Sequence, residues 1–120
     1  MKLIALQVIA LSGLLGSAHA HDPAQTDADK YRVVLENEQV RVLAYTDQPG
    51  EKTLQHRHPA FVLYALAPFK RKLTLADGRS MMREFKVGDV LYSQGETHVG
   101  ENIGTTPTQV LIVELKQSKP

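Results

Sequence analysis

Three histidines are the residues of this chain whose types and spacing could do chemistry. His56 and His58 are one residue apart, and His98 lies further along the chain. Side chains alternate faces along a β-strand, so His56 and His58 project the same way in extended backbone, and a neighbouring strand could supply His98. Imidazole is the commonest protein ligand for zinc, copper, iron and nickel. The constellation therefore predicts a metal site, although each histidine taken alone is typical of a polar surface.

The segments that must position these histidines read as β-strands. From Tyr31 onward, short runs rich in Val, Leu, Ile, Tyr and Thr are separated by Gly, Pro, Asn and Asp, and no segment sustains a helical period. Turns are predicted at Gln48–Gly50, at Asp77–Gly78 and at Gly104–Pro107. The pattern predicts an all-β sandwich or small barrel with strands at Tyr31–Leu35, Val40–Tyr45, Thr53–His58, Phe61–Leu66, Arg71–Leu75, Met81–Phe85, Asp89–Ser93, His98–Asn102 and Gln109–Leu115.

The first twenty residues have the pattern of a secretory signal peptide. Lys2 is their only charge, an apolar stretch follows it, and the segment ends in Ser17-Ala18-His19-Ala20, which signal peptidase accepts. The apolar stretch is shorter than the roughly 20 residues that a membrane-spanning helix needs. We therefore expect cleavage after Ala20, a periplasmic or secreted protein, and no membrane association after cleavage.

The remaining chain divides into a polar leader, one domain and a short tail. Residues 21–30 contain no large apolar side chain, so we expect a flexible leader that contributes little to the fold. Residues 31–116 are enough for one hydrophobic core, and residues 117–120 are left as a tail. The chain has no cysteine, so disulfides cannot stabilise that core.

Charge excludes one large class of partner. Once Lys2 is removed with the signal, thirteen basic residues balance thirteen acidic ones. A protein that binds nucleic acid would show a basic excess on one face, and the only dense basic cluster, Lys70–Lys72, is typical of a solvated strand end. We therefore expect a small-molecule ligand and no nucleic acid.

One strand predicts that both faces of its sheet are covered. Val110–Val113 is apolar at every position, whereas a strand with one face in water would alternate. A second sheet would cover one face. A homodimer partner is the candidate for the other.

The sequence around the first two histidines resembles the first motif of the cupin family. That motif is a glycine, five residues and His-x-His, and Gly50, His56 and His58 match it. The glutamate that follows in the family falls here on Val62 or Leu63, which cannot bind a metal.

The sequence around the third histidine resembles the second cupin motif. Gly95, His98 and Asn102 match its ending, and Gly88 resembles its opening glycine at an interval one residue short. The resemblance covers essentially the whole of the 31–116 domain. It implies an all-β double-stranded β-helix, or jelly-roll barrel, often dimeric, with His56, His58 and His98 as metal ligands near the barrel mouth. Asn102 is expected to satisfy a turn instead of binding the ion.

The missing glutamate bears on the chemistry that the resemblance implies. Three neutral imidazoles leave the charge of a divalent cation uncompensated by the protein, so water, hydroxide or a small anionic molecule should complete its shell. The ion could be Fe, Zn, Mn, Ni or Cu. Iron would suit oxygen activation, as in the three-histidine dioxygenases of the family, and zinc, manganese or nickel would suit Lewis-acid activation. Other cupins have lost their metal.

Five further residues could take part in metal binding or catalysis. If the strand after Pro59 continues the alternation of His56 and His58, Val62 and Tyr64 point inward, and Phe61 and Leu63 point outward. Tyr64 is then a weak candidate for a catalytic acid or a hydrogen-bond donor to a bound substrate. A tyrosine at the barrel rim is the plainer interpretation. The others are Met81 and Met82 as copper ligands or packing residues, Glu84 as a substitute carboxylate or surface ion pair, and His21 as a terminal copper chelator.

Two functions of different class follow. The first is a small exported metal-dependent enzyme, of dioxygenase or isomerase/hydrolase type, that acts on a small anionic molecule. The second is a non-catalytic module that binds or senses a small ligand, with or without metal. A purely structural role would make the histidines dispensable.

Overall fold

In the computed structural model, which describes residues 21–117, the chain forms two antiparallel β-sheets with one short helix. The predicted signal peptide and residues 118–120 of the predicted tail lie outside the described residues. Helix α1 spans Pro23–Thr26. The strands are β1 Tyr31–Glu36, β2 Val40–Asp47, β3 His56–His58, β4 Phe61–Ala65, β5 Phe69–Leu75, β6 Ser80–Phe85, β7 Val90–Ser93, β8 Glu96–Asn102 and β9 Thr108–Leu115.

The chain passes back and forth between the two sheets. The first has the strand order β1-β2-β9-β4-β7, and the second has the order β3-β8-β5-β6. Every strand pair is antiparallel. This is an all-β architecture, as predicted, and the nine strands match the predicted ones apart from shifted ends, the largest being the late start of β3.

The hydrophobic core lies between the sheets and comes mostly from the five-stranded one. Along β9, Val110 and Ile112 face inward and are buried, whereas Leu111 and Val113 are half-buried on the outer face. Tyrosines and phenylalanines from four strands complete the core, which consists of Tyr31, Leu43, Tyr45, Phe61, Ala65, Phe69, Val110 and Ile112.

The hairpins follow the predicted turn chemistry. Gly78 joins β5 to β6 with φ +89°, and Gly50 follows β2 with φ +86°. A side chain at such an angle would be strained, so glycine is the residue that these turns favour. Gly95 lies before β8 with φ +104°, and a Cβ there would lie 2.9 Å from the carbonyl oxygen of His58. Gly95 therefore lets the loop before β8 approach β3 closely.

The segment 21–30 contributes to the fold, which corrects the prediction of a leader that adds little. Pro23 and Asp27 are buried, and the Arg57 backbone N–H donates to the carbonyl oxygen of His21. The two carboxylate oxygens of Asp22 accept from the Arg41 guanidinium at 2.8 Å each. Composition concealed this packing because the segment is fixed by a partly buried ion pair, backbone hydrogen bonds and small apolar residues, and not by large apolar side chains.

The predicted parity of β4 is wrong. Phe61 is buried, Leu63 packs against the core, and Tyr64 is 44% exposed on the outer face. The chain crosses from the four-stranded to the five-stranded sheet between His58 and Phe61, with a bend at residue 60. Strand alternation holds only along continuous extended backbone, so the bend resets which residues face inward.

Within residues 21–117, no helix has both the length and the apolar character needed to span a bilayer.

Candidate metal centre

Strands β3 and β8 bring the three predicted histidines together. His56 and His58 share the inner face of β3, with the exposed Arg57 between them. In the antiparallel pairing of β3 with β8, His56 lies directly opposite His98. All three side chains are buried, and the ring centroids of His58 and His98 are 5.3 Å apart, with the other two pairs at 4.8 Å.

The ring nitrogens lie at distances that one ion could nearly span. His56 Nε2 is 3.1 Å from His98 Nε2, and one ligand nitrogen from each of the three histidines lies within 4.8 Å of the others. Two nitrogens bonded to one ion at about 2.1 Å can be at most about 4.2 Å apart. A pair at the 4.8 Å limit would therefore have to close by about 0.6 Å on binding an ion.

A hydrogen bond from Nδ1 holds each imidazole in its orientation. His58 Nδ1 donates to Glu114 Oε2 at 3.0 Å, and His98 Nδ1 donates to Glu96 Oε1 at 2.9 Å. His56 Nδ1 donates to the carbonyl oxygen of Leu54 at 3.0 Å. Carbonyl and ionised carboxylate oxygens only accept, so Nδ1 carries the proton in all three rings. Nε2 is consequently the nitrogen of each ring that can bind a metal, as in carboxylate–histidine–metal arrangements.

Burial keeps two of these imidazoles neutral. Burial, together with the neighbouring His58 and His98, lowers the pKa of His56 to about 3. Burial also lowers the pKa of His58, although its hydrogen bond to Glu114 acts in the opposite direction. A neutral imidazole is the form that binds metals, so these ligands need lose no proton near neutral pH.

Carboxylates do compensate charge at this site, which corrects the expectation that the protein supplies none. Burial acts to raise the pKa of Glu114, but hydrogen bonds from His58 and Arg41 hold it below its usual value. The hydrogen bond from His98 lowers the pKa of Glu96. Asp27, from the segment before β1, lies 3.6 Å from His56 Nδ1. The compensation comes from behind the imidazoles and not from the Val62 or Leu63 position.

Part of this outer layer has a sequence signal that the strand pattern could have revealed. Glu96 lies two residues before His98, on the same face of β8. Glu114 lies two residues after the inward-facing Ile112, where an isolated charge in a core position indicates a buried partner. Asp27 has no such signal, because it reaches His56 only through the packing of the segment before β1.

Tyr31 is the functional candidate that the sequence did not reveal. Its hydroxyl donates to His56 Nε2 at 3.3 Å, and its ring packs near His56 and His58. Burial raises the pKa of Tyr31 well above the usual value, so the phenol remains a neutral donor. An ion on His56 Nε2 would occupy that acceptor and leave the hydroxyl to donate elsewhere. Tyr64, the predicted candidate, points away from the site.

The other residues suggested by the sequence are not part of the three-histidine cluster. Met82 is 70% exposed, Met81 is half-buried, and Glu84 is exposed on β6. His21 is exposed, and its carbonyl oxygen accepts a hydrogen bond from the Arg57 backbone N–H. The buried Asn102 uses its amide to hold the loop after β8, because its Nδ2 donates to the carbonyl oxygen of Thr106 and its Oδ1 accepts from the Gly104 N–H.

The site opens on a cavity of about 50 Å³ inside the barrel. That is room for a few water molecules or a small part of a ligand. His58, His98 and Glu96 are among its lining residues, together with two arginines, and most of the remaining lining is apolar. The apolar residues of the wall include Phe61, Leu63, Phe69, Leu73, Phe85, Leu91, Val110 and Ile112.

Comparison with known proteins places this architecture. No family model matches the chain, and no curated protein matches it. Solved structures do match. A cupin domain from Bordetella pertussis Tohama I is 25% identical, covers 72% of this chain and 92% of its own, and has a TM-score of 0.66. The chain has the cupin fold.

Two further solved structures are similar to this chain. An RmlC-like cupin with a double-stranded β-helix from Methanocaldococcus jannaschii is 18% identical over 72% of this chain and 78% of its own, with a TM-score of 0.58. The polyketide cyclase RemF from Streptomyces resistomycificus is 21% identical over 75% of this chain and 66% of its own, with a TM-score of 0.54. Together the neighbours support membership of the cupin superfamily, and the last two bear on the fold alone.

Proposed function

We propose that this cupin binds one divalent metal ion through His56, His58 and His98, and that a small anionic molecule completes the ion's shell. The observation that carries the proposal is the orientation of the imidazoles. All three Nε2 atoms carry lone pairs, because each Nδ1 proton is held by an acceptor, and one ring nitrogen from each histidine lies within 4.8 Å of the others. Without an ion, the lone pairs of His56 and His98 repel each other at 3.1 Å.

The charges around the site favour a ligand that is itself negative. Three neutral imidazoles bring no negative charge directly to a divalent ion, and Glu96 and Glu114 act on it only through His98 and His58, to which they are hydrogen-bonded. A small anion reaching the ion from the cavity would supply the remaining charge. A bound ion would supply Lewis acidity, or oxygen chemistry if it is iron.

Elemental analysis tests this proposal directly. Protein expressed without a chelating tag should carry close to one equivalent of Fe, Zn, Mn, Ni or Cu. The double variant His56→Ala/His98→Ala should lose it. His21→Ala is the matched control, because it removes an exposed histidine away from the site and should keep the metal. Wild-type protein that stays metal-free after incubation with each ion would refute the proposal.

A non-catalytic binding module is the second candidate. It is favoured by the engagement of Asp27, Glu96 and Glu114 with histidines or backbone, which leaves them without a free role as general base. Tyr31 is a donor but not a base. An oxygen-consumption screen of the iron-loaded protein over small carboxylates separates the candidates: turnover supports the enzyme, and tight ligand binding without turnover supports the module.

Export and assembly stay predictions. The signal-like N-terminus supports a periplasmic or secreted location, which fractionation of cells expressing the full chain would test. The outer face of the five-stranded sheet carries the exposed side chains of Tyr64, Val90, Tyr92 and Leu115, which fit the predicted homodimer. Light scattering on the purified protein would give its mass in solution.

A further inference from the structure

We propose that Arg83 recognises the acid group of the ligand, and that the ligand is a carboxylate with a small apolar body. This inference rests on the proposed function, because it names the class of anion that the metal site takes. It starts from the two arginines that line the cavity, Arg71 and Arg83.

The two arginines lie directly opposite each other in the pairing of β5 with β6. Both are on the face that carries Phe69 and Phe85, whose rings stack with centroids 4.6 Å apart. Like charges directly opposite on one sheet face are destabilising. Such an arrangement is relieved when an anion compensates the guanidinium groups.

Only one of the two guanidinium groups is compensated within the protein. Arg71 donates to Asp47 and to Thr108 Oγ1 at 3.2 Å, and its Nη2 donates to the Tyr45 hydroxyl at 3.2 Å. The Arg83 side chain has no hydrogen bond or ion pair with any residue in the 21–117 range. Arg83 is exposed, so its five N–H donors are available at the cavity mouth.

The nearby carboxylate does not remove this availability. Glu96 also lines the cavity, and the positive charge of Arg83 acts on it, but its Oε1 accepts from His98 Nδ1. No ion pair within 4.0 Å joins Arg83 to Glu96 among the described residues. Arg83 can therefore bind an incoming carboxylate through a bidentate pair without releasing Glu96 from His98.

The wall next to Arg83 selects the rest of the ligand. The stacked Phe69 and Phe85, together with Leu63 and Leu91, give the cavity an apolar surface. The enclosed space of about 50 Å³ holds only part of a ligand. A flat or short apolar body fits this wall, whereas a strongly hydrated polyol would lose its hydrogen bonds to water there.

Benzoate is the probe for this class, with benzamide as its neutral counterpart and acetate as the acid without a body. Binding is measured by calorimetry and ligand-observed NMR, on zinc-loaded and on metal-free protein. We expect benzoate to bind at least about tenfold more tightly than benzamide or acetate. Arg83→Gln should weaken benzoate binding about tenfold or more. Arg83→Lys keeps the charge but loses the bidentate geometry, so its benzoate affinity should lie between those of the wild type and Arg83→Gln.

Arg79→Gln is the matched control. It removes the same charge from the same hairpin, at a side chain that is paired with Asp77 away from the cavity. We expect it to bind benzoate like the wild type. Zinc affinity of Arg83→Gln should stay within about threefold of the wild type, because Arg83 contacts no histidine ligand.

Three results would overturn the inference. One is equal binding of benzoate and benzamide, or of benzoate and acetate. Another is equal benzoate affinity in Arg83→Gln and Arg79→Gln, including the case in which neither they nor the wild type bind it. The last is a loss of zinc affinity in Arg83→Gln that is large enough to explain its weaker benzoate binding, because Arg83 would then act on the metal site through Glu96. Failure of the wild type to bind any metal would instead refute the metal site, and the metal-free titrations would still decide the role of Arg83.

Discussion

Replacing Glu114 by glutamine isolates the carboxylate that stands behind His58. Glu114 is 2% exposed and accepts from His58 Nδ1 at 3.0 Å and from Arg41 Nε at 2.7 Å. Arg41 and His58 donate to different oxygens of Glu114, and a glutamine keeps the shape but replaces one of these two acceptors by an NH2 donor. Loss of a carboxylate behind a ligand histidine typically weakens metal binding about 10–100-fold.

Thermal unfolding converts that loss into a measurable shift. At a free zinc concentration about 1,000 times the wild-type Kd, the metal should stabilise the fold by about 4.1 kcal/mol, falling to about 2.7 or 1.4 kcal/mol for a site 10-fold or 100-fold weaker. Each kcal/mol moves the Tm of a domain of this size by about 4–8 °C. The zinc-induced rise in Tm should thus shrink by roughly one third to two thirds. Comparing loaded and metal-free samples of the same variant cancels the effect of the substitution on folding itself.

Two companion variants keep this prediction decisive. Glu36→Gln changes an exposed partner of Lys116 and should leave the zinc-induced rise unchanged. Glu96→Gln removes the negative charge beside His98, and because the Glu96 side chain is 23% exposed, this variant should fold even if Glu114→Gln does not. Zinc-induced rises in Glu114→Gln and Glu96→Gln equal to that of Glu36→Gln would refute the role given to these carboxylates.

Three more predictions concern separate features. The pKa of His56 is depressed to about 3 in the folded state, so the unfolded chain binds more protons below pH 6.5. As the pH falls from 6.5 to 5, His56 alone should cost the metal-free protein up to about 1.4 kcal/mol of unfolding free energy per pH unit, and the lowered pKa of His58 adds to this loss. Urea unfolding should show a smaller pH slope for His56→Gln, and an equal slope would contradict this. Tyr31→Phe should weaken azide binding to the cobalt-loaded protein about fivefold in a visible-spectrum titration, whereas Tyr64→Phe should not; identical titrations would exclude Tyr31 as a donor to the ion's ligands. Gly95→Ala should lower the free energy of unfolding by about 1–3 kcal/mol more than Gly78→Ala. Both glycines have a positive φ, but of the two, a Cβ would clash with backbone at Gly95 alone, and equal urea midpoints would show that the loop can shift.

Much of the site could be predicted because it depends on strand periodicity. The i, i+2 spacing puts His56 and His58 on one face of any extended segment, and the Asp77–Gly78 turn fixes a hairpin with little help from its surroundings. The expectation for Tyr64 failed for the same kind of reason, because periodicity is lost where the chain changes sheets.

The sequence by itself determined an all-β chain whose three histidines sit in strands or next to them, since residue types and spacing act locally. Only the tertiary structure decided which groups stand around those histidines. Asp27, Tyr31 and Glu114 come from the two ends of the described chain and meet β3 through sheet pairing and core packing. Contacts between residues so far apart in sequence are set by how the sheets close on each other, and no local pattern encodes them.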